Sequence, residues 1–286
     1  MRPIKDILSE EYWNIAFRET EENDFAFINK NRMFNSLRES KRYWYADPFL
    51  FRYKEEIWLF VEAFDNKTEK GVIACMKYED GDFTDPEVVL EEKYHLSYPY
   101  VYEENGEVYM MPETMEDCCI QAYKAVEFPR KWKKHKTLIK LENAVDTVIC
   151  GDKLITSVVT DSYEKRVDAD VYDINTGKYI QSLHKNSQHA RGAGKIFFAE
   201  GKNIRPAQDC TNGVYGAGLV FYSIEEKEGN FSEEQVYTLV PEDFNVRNKS
   251  VEGVHTYARA GNLEILDFKC KRFNLRRILW IIQKKL

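Results

Sequence analysis

The 286-residue sequence has no excess of positive charge, because its 41 Lys and Arg residues are outnumbered by 48 Asp and Glu residues and the net charge is −7. A nucleic-acid-binding domain normally carries a basic face, so nucleic acid is not expected as a partner. No apolar run reaches the roughly 18 residues of a membrane span. Residues 1–11 also lack the apolar segment of a secretory signal. The expected location is therefore the cytoplasm.

Common cofactor and metal motifs are missing as well. None of the six cysteines forms a C-x-x-C pair, which argues against the usual zinc and thiol-redox sites. Neither a Gly-rich phosphate loop before a helix nor a G-x-S-x-G nucleophile motif occurs. No metal site is predicted, and no tightly bound cofactor is indicated.

The chain does contain an internal repeat of 16-residue units, each with two apolar runs around a polar or Gly-containing break. The units begin at Asp47, Tyr98, Asp146, Gly194 and Glu252, and they end on Glu62, Glu113, Asp161, Asp209 and Asp267. Their starts are 51, 48, 48 and 58 residues apart. A β-hairpin that recurs about every 50 residues is typical of β-propeller blades. The predicted fold is all-β, a single five-bladed β-propeller over residues 1–270.

The two ends of the chain have different predicted roles. The fifth unit is not followed by outer strands, so residues 13–17 are predicted to complete the fifth blade. Residues 271–286 place Leu275, Ile278, Leu279 and Ile282 at helical spacing among basic residues, which predicts a short amphipathic helix. Such a helix either lies on an anionic membrane surface, making the protein peripheral on the inner membrane face, or packs on the propeller flank.

The repeat predicts a cluster of acids at one mouth of the propeller channel. A hairpin returns its ends to the same place, and the innermost strands line the channel. Burial and mutual repulsion raise carboxyl pKa values, and carboxyl pairs with separated pKa values perform glycosyl chemistry. The candidate catalytic residues are Asp47, Glu113 and Asp146. The candidate substrate-binding residues are Glu62, His95, Tyr98, Arg205, Gln208, Asp209, Tyr215 and His255.

Six short motifs carry a family resemblance: YADPFLF at 45–51, HLSYP at 95–99, PET at 112–114, AVD at 144–146, RPAQDC at 205–210 and GVHT at 253–256. In this order they resemble the propeller domain at the N-terminus of plant glucosamine inositolphosphorylceramide transferases, which has stand-alone bacterial relatives among surface-polysaccharide genes. That domain is similar in turn to the five-bladed propellers of arabinanases, xylosidases and invertases.

The resemblance implies roles for particular acids. In the similar hydrolases, an Asp in an A-D-P-like start of the first blade is the base or nucleophile, and Asp47 matches it. Their second acid opens the second blade, where this chain has Tyr98. The remaining acid belongs to the third blade, where Asp146 stands. Glu113 is predicted to replace the missing acid.

Three functions remain open at this point. The first is a glycosyltransferase-type enzyme of surface polysaccharide or glycolipid synthesis, for which a nucleotide sugar would be the donor. The second is a glycoside hydrolase of the invertase or arabinanase type. The third is a non-catalytic glycan-binding module that partners a transferase. All three place a sugar or glycan at the channel mouth.

Overall fold

The computed structural model describes residues 9–20 and 33–273. Over these residues the chain forms β-strands and three short 3₁₀ turns, Met115–Asp117, Thr211–Gly213 and Pro241–Asp243. Within the same ranges no helix is long and apolar enough to cross a membrane. The strands form five sheets arranged as propeller blades, which confirms the predicted fold.

The strands are numbered in chain order. They are β1 (Ser9–Glu19), β2 (Met33–Ser36), β3 (Tyr43–Tyr53), β4 (Glu56–Asp65), β5 (Lys70–Glu79), β6 (Asp82–Phe83), β7 (Glu87–Leu90), β8 (Ser97–Glu104), β9 (Glu107–Glu113), β10 (Cys119–Glu127), β11 (Lys131–Lys140), β12 (Ala144–Cys150), β13 (Lys153–Asp161), β14 (Arg166–Asp173), β15 (Tyr179–Ser187), β16 (Phe197–Ala199), β17 (Lys202–Asp209), β18 (Gly218–Lys227), β19 (Asn230–Leu239), β20 (Asn245–Val246), β21 (Tyr257–Ala260) and β22 (Leu263–Phe273).

Each blade runs outwards from the channel through sequential antiparallel strands. Blade one is β3-β4-β5, with β6 and β7 sharing the outer position on β5. Blades two, three and four are β8 to β11, β12 to β15 and β16 to β19. Blade five is β21-β22-β1-β2, and β20 adds a short parallel pairing to β2.

Blade five closes the ring by joining the two ends of the chain. Strand β1 pairs with β22 without interruption, from Ser9 opposite Phe273 to Glu19 opposite Leu263. The predicted closing role of residues 13–17 is therefore confirmed. Arg18 and Glu264, both buried, form an ion pair of 2.7 Å across this pairing.

Strand β22 extends past the expected domain boundary. Residues 271–273 are its last three residues and belong to the propeller, whereas they were predicted to start the terminal helix. The rest of that predicted helix, 274–286, lies outside the described residues.

The core lies between the faces of neighbouring blades. Phe128, in the turn between β10 and β11, packs against four aromatic rings of blade one with centroid distances between 4.2 and 6.1 Å. These rings are Phe51, Tyr53, Trp58 and Phe60. Phe128 is half-buried, so it contributes part of the roughly 1.5–3 kcal/mol of a fully buried side chain of this size, and its contacts help to fix the angle between successive blades.

The expected pairing of each unit's first and last residues holds only in part. Glu62 lies opposite Ala46, and Glu113 lies opposite Ser97, one residue from the expected partners. In blade three the turn between β12 and β13 comes earlier in the unit than in blades one and two. As a result, Val145 lies opposite Ser157, and Asp161 lies at the end of β13, opposite Arg166. In blade four Gly192 already pairs with Ala207, so Asp209 also lies beyond the first position of its unit. The acids that end the third and fourth units are therefore not equivalent to those of the first two.

Candidate functional site

The inner strands of the first three blades each contain a β-bulge at the channel mouth. In each bulge one non-glycine residue adopts a left-handed backbone conformation. These residues are Asp47 (φ 51°), Tyr98 (φ 47°) and Asp146 (φ 50°). Such conformations cost roughly 1–3 kcal/mol each and concentrate at functional sites, and bulges redirect side chains near active sites.

Asp47 is oriented by groups from blades two and five. Its Oδ2 accepts the Tyr98 N–H (3.1 Å) and its Oδ1 accepts the Thr256 hydroxyl (2.8 Å). The Asp47 N–H donates to Asp267 Oδ2 at 3.0 Å. The side chain of Asp47 is 7% exposed, so this carboxylate has one fixed position at the mouth.

His255 lies between two buried carboxylates of the same cluster. Its Nδ1 is 2.8 Å from Asp267 Oδ2 and 3.6 Å from Asp47 Oδ1. Burial disfavours the imidazolium, but Asp267 and Asp47 outweigh that effect and raise the pKa of His255. The cluster therefore favours a protonated imidazole.

Asp47, His255 and Asp267 also form a group that could hold a metal ion, since their ligand atoms lie within 4.8 Å of one another. Sequence patterns did not predict such a group. Both Asp267 oxygens already accept backbone N–H groups, Oδ1 from His255 and Thr256 and Oδ2 from Asp47. The three side chains are thus also satisfied as a hydrogen-bonded cluster.

A second cluster joins blades two and three. The Nε of Arg191 donates to Asp146 Oδ2 at 2.5 Å, and its Nη2 lies 4.0 Å from Glu113 Oε2. The side chains of Asp146 and Glu113 are 3% and 10% exposed. Two of the three predicted catalytic acids therefore share one guanidinium.

Glu62 brings an unsatisfied oxygen to the same region. Its Oε1 is buried and has no hydrogen-bond partner, although His95 Nε2 lies 3.3 Å away out of line. The Gly71 N–H donates to His95 Nδ1 (3.0 Å), so the neutral ring carries its proton on Nε2. Any Cβ at Gly71 would come within 2.4 Å of Leu96 O. An unsatisfied buried carboxyl is rare and indicates a place for a ligand group or water.

The crowded acids have separated pKa values. Burial, reinforced by Asp267 and Asp146, raises the pKa of Asp47 to about 6 even though His255 opposes the shift. Burial and the neighbouring Asp146 raise the pKa of Glu113 to about 8. Burial and the charges of Asp47 and Glu113 raise the pKa of Glu62 well above its ordinary value. Near neutral pH, Asp47 is mainly ionised while Glu113 is mainly protonated.

Two aromatic rings lie beside the charged clusters of the mouth. The ring centroid of Trp13 lies 3.9 Å from His255, and that of Tyr215 lies 5.0 Å from His255. The Arg191 guanidinium carbon is 5.1 Å from the centre of the Tyr215 ring. Tyr215 was predicted from the sequence, whereas Trp13 was assigned only to blade closure. The missed signal is that Trp13 belongs to the strand predicted to complete blade five, and Asp267 belongs to the same blade.

The side chain of Tyr98 does not line the open mouth, which corrects its predicted role. It is fully buried, with its ring 4.7 Å from Phe49 and its hydroxyl accepting the Gly194 N–H at 2.7 Å. The bulge turns the ring across the channel into the core. Only the backbone N–H of Tyr98 serves the site, through Asp47.

Three residues predicted in blade four have structural partners instead. Arg205 is 1% exposed and forms a bidentate ion pair with Glu233. Gln208 is fully buried and its Nε2 donates to Gly192 O at 3.0 Å. Asp209 Oδ1 accepts the N–H of Thr211 (2.8 Å) and lies 3.2 Å from His189 Nδ1. These contacts leave Arg205 and Gln208 no free face toward a substrate.

Solved structures show the same architecture. The chain is similar to the catalytic domain of a Coprinopsis cinerea GH62 α-L-arabinofuranosidase, with a TM-score of 0.57, 8% identity, and 87% of this chain and 85% of that one covered. It is also similar to CoXyl43, a GH43 β-xylosidase/α-arabinofuranosidase from a compost metagenome solved with xylotriose, with a TM-score of 0.53, 10% identity, and 82% and 91% covered. At these identities the likeness establishes the fold.

Sequence relatives give the family. Glucosamine inositolphosphorylceramide transferase 1 of Oryza sativa subsp. japonica is 32% identical over 195 residues, which are 63% of this chain and 26% of the relative. The chain thus spans about a quarter of the length of the curated relatives it matches. The family model described as "Glucosamine inositolphosphorylceramide transferase 1, N-terminal" matches residues 34–270, well over half of the chain. The chain therefore belongs to this family.

Proposed function

We propose that this protein is carbohydrate-active and transfers a sugar from an activated donor, such as a nucleotide sugar, to an acceptor hydroxyl at the channel mouth. The observation that carries the proposal is that the two neighbouring clusters at the mouth contain acids, Asp47 and Glu113, whose pKa values are raised to different extents. The name of the matched plant relatives, which describes glucosamine transfer to a lipid, supports the same class of chemistry.

Glu113 acts as the general acid in this proposal. With a pKa of about 8 it carries a proton near neutral pH and donates it to the oxygen of the leaving group. Arg191, 4.0 Å away, favours the carboxylate that remains after the transfer. Asp146, held by Arg191, fixes the guanidinium so that it faces Glu113.

Asp47 acts as the base. It is ionised above a pH of about 6, and its two oxygens are oriented by Tyr98 N–H and the Thr256 hydroxyl. It accepts the proton of the attacking hydroxyl group. Trp13 and Tyr215, which both lie beside His255, supply rings on which the sugar stacks.

The test is a screen of nucleotide sugars and glycan acceptors with the intact chain, followed by Asp47→Asn and Glu113→Gln. Each substitution should lower turnover by at least about 100-fold, the lower range for general acid–base groups. Asp161→Asn is the matched control, because Asp161 ends the third repeat unit but binds only the backbone of its own turn. Unchanged turnover in Asp47→Asn and Glu113→Gln would refute these roles.

A non-catalytic glycan-binding module is the second candidate. The observation that favours it is the buried Asp47 carboxylate, whose oxygens already accept two hydrogen bonds. In that case Asp47→Asn and Glu113→Gln weaken glycan affinity, and no donor is ever consumed. Release of free sugar from a glycan without any acceptor would instead identify a glycoside hydrolase.

A further inference from the structure

Blade two carries a row of aromatic and basic side chains away from the channel mouth. Tyr102 lies opposite Tyr109, Tyr109 opposite Lys124, and Lys124 opposite Lys133. Directly opposed residues share one face of a sheet, so these four side chains form a row across β8, β9, β10 and β11. Tyr102 is four residues beyond Tyr98, roughly 13 Å at about 3.3 Å per residue, which separates the row from the mouth.

Aromatic rings are stacked at one end of this row. The Tyr102 and Tyr109 rings have centroids 5.5 Å apart and an interplanar angle of 24°. The ring of His135, an exposed residue, lies 5.2 Å from Tyr109. Both tyrosines are half-buried. Together the rings offer an extended face with polar edges, which suits stacking of a sugar ring.

Positive charge is concentrated at the other end of the row. Residues 119–141 contain seven Lys and Arg and one Glu, a net charge of +6, so the rest of the chain carries −7 − 6 = −13. Lys124 binds Glu107 at 3.2 Å. Lys133 and Lys136 are exposed, and no ion pair is found for them within residues 9–20 and 33–273. Like charges directly opposite each other, as Lys124 and Lys133 are, destabilise a strand pair.

Protection of a sheet edge does not account for these lysines. Lysines on outer strands do block edge-to-edge pairing, and β11 is the outer strand of its blade. However, β11 contains five lysines, while the outer strand β15 has one and β2, β7 and β19 have none. The outer strands of the other blades therefore protect their free edges without a cluster of lysines.

We propose that the row formed by Tyr102, Tyr109, Lys124 and Lys133, with His135 and Lys136 beside it, is a second binding site whose ligand is an acidic glycan. The rings stack on the sugar faces, and the lysines pair with carboxylate or phosphate groups of the polymer. The site is independent of the chemistry at the mouth. An anionic membrane is the less suitable partner, because the row itself consists of rings and cations, and Val126 is the single large exposed aliphatic side chain of β8 to β11.

The experiment measures binding of the intact chain to immobilised polygalacturonate, an acidic glycan, with dextran as the neutral glycan and polyglutamate as the polyanion without sugar. The variants are Lys133→Glu/Lys136→Glu and Tyr109→Leu. The control is Lys202→Glu/Lys227→Glu, which makes the same charge change at exposed lysines of blade four. The thermal melting point of each variant checks folding.

The chain should bind polygalacturonate in preference to dextran and polyglutamate, and more weakly at higher salt concentration. Lys133→Glu/Lys136→Glu should lose at least about tenfold in affinity, and the blade-four control should lose less than twofold. Tyr109→Leu should weaken binding to polygalacturonate and leave polyglutamate unaffected. Three results would each overturn the proposal: no binding to polygalacturonate, equal losses in both double variants, or Lys133-dependent binding only to vesicles that contain phosphatidylglycerol. Asp47→Asn should bind polygalacturonate like the unchanged chain, which keeps this test separate from that of the mouth.

Discussion

Replacing Arg205 by Met tests whether this arginine serves stability or substrate binding. The structure buries Arg205 in blade four, where its guanidinium binds both oxygens of Glu233 and donates to Ala190 O at 3.2 Å. Glu233 also lies 2.9 Å from His184 Nε2 of blade three, so the group links two blades. Methionine keeps an unbranched apolar side chain but is shorter than arginine, so it removes the charge, its hydrogen bonds and the contact of the guanidinium carbon with the Tyr222 ring at 5.3 Å.

The expected cost follows from the charge left behind. Burial alone would raise the pKa of Glu233, but Arg205 outweighs it, with help from His184, and lowers the pKa from 4.5 to about 2. At about 1.36 kcal/mol per pKa unit, this difference corresponds to about 3 kcal/mol. Removing one partner of a buried ion pair costs about 3–5 kcal/mol. Because the pKa is lowered, this stabilisation is present above pH 4.5 and is lost as the pH falls toward 2.

Urea unfolding at pH 7 measures the effect. Arg205→Met should lower the free energy of unfolding by about 3–5 kcal/mol, and adding Glu233→Leu should recover most of the loss because no unpaired charge then remains. If Arg205→Met unfolds at the same urea concentration as the unchanged chain and loses sugar binding, the structural role assigned to Arg205 is wrong.

Three further predictions concern other parts of the chain. The pKa of Glu113 is raised to about 8, so its burial lowers the free energy of unfolding as the pH rises from about 4.5 to 8. The stability gained by Glu113→Gln, measured by urea unfolding, should therefore grow from pH 5 to pH 8. A difference that stays constant with pH would contradict the raised pKa. A Cβ at Gly194 would lie 2.0 Å from Tyr257 O, whereas one at Gly81 would meet nothing within 4 Å; Gly194→Ala should prevent soluble expression or lower the melting point far more than Gly81→Ala, and similar melting points would refute the steric argument. Deleting residues 274–286 should abolish binding to phosphatidylglycerol vesicles, measured by sedimentation, while the melting point stays unchanged; undiminished binding would exclude the proposed membrane role of this basic segment.

The repeat predicted the number of blades because a period near 50 residues is imposed by blade size. It also predicted the closing strand, since the fifth unit had two strands and lacked the outer ones. It could not predict the bulges at Asp47, Tyr98 and Asp146, because one extra residue reverses which face a side chain occupies. This is why the ring of Tyr98 was placed at the mouth and is found in the core.

The sequence also could not predict which partners the buried polar residues would have. Arg205 stands in a polar motif, but its partner Glu233 follows 28 residues later on an outer strand, and nothing in either segment signals the pairing. The Arg191 contact with Asp146 spans 45 residues, and no sequence pattern links the two segments. Acids at the mouth were predictable from the repeat, whereas the cations that tune them were not.

The closure of the ring makes assembly of the mouth depend on the order in which the chain is synthesised. Glu19 finds its strand partner Leu263 only after another 244 residues have been made, and the N-terminal part of a chain leaves the ribosome first. The contact of Trp13 with His255 can therefore form only after blade five has been synthesised. The same holds for the contacts of Asp47 with Asp267 and Thr256. A nascent or prematurely terminated chain can stack several blades, but it has no complete mouth. The mouth can therefore be completed only after the chain has been synthesised beyond Asp267, whose oxygens accept the backbone N–H groups of Asp47, His255 and Thr256.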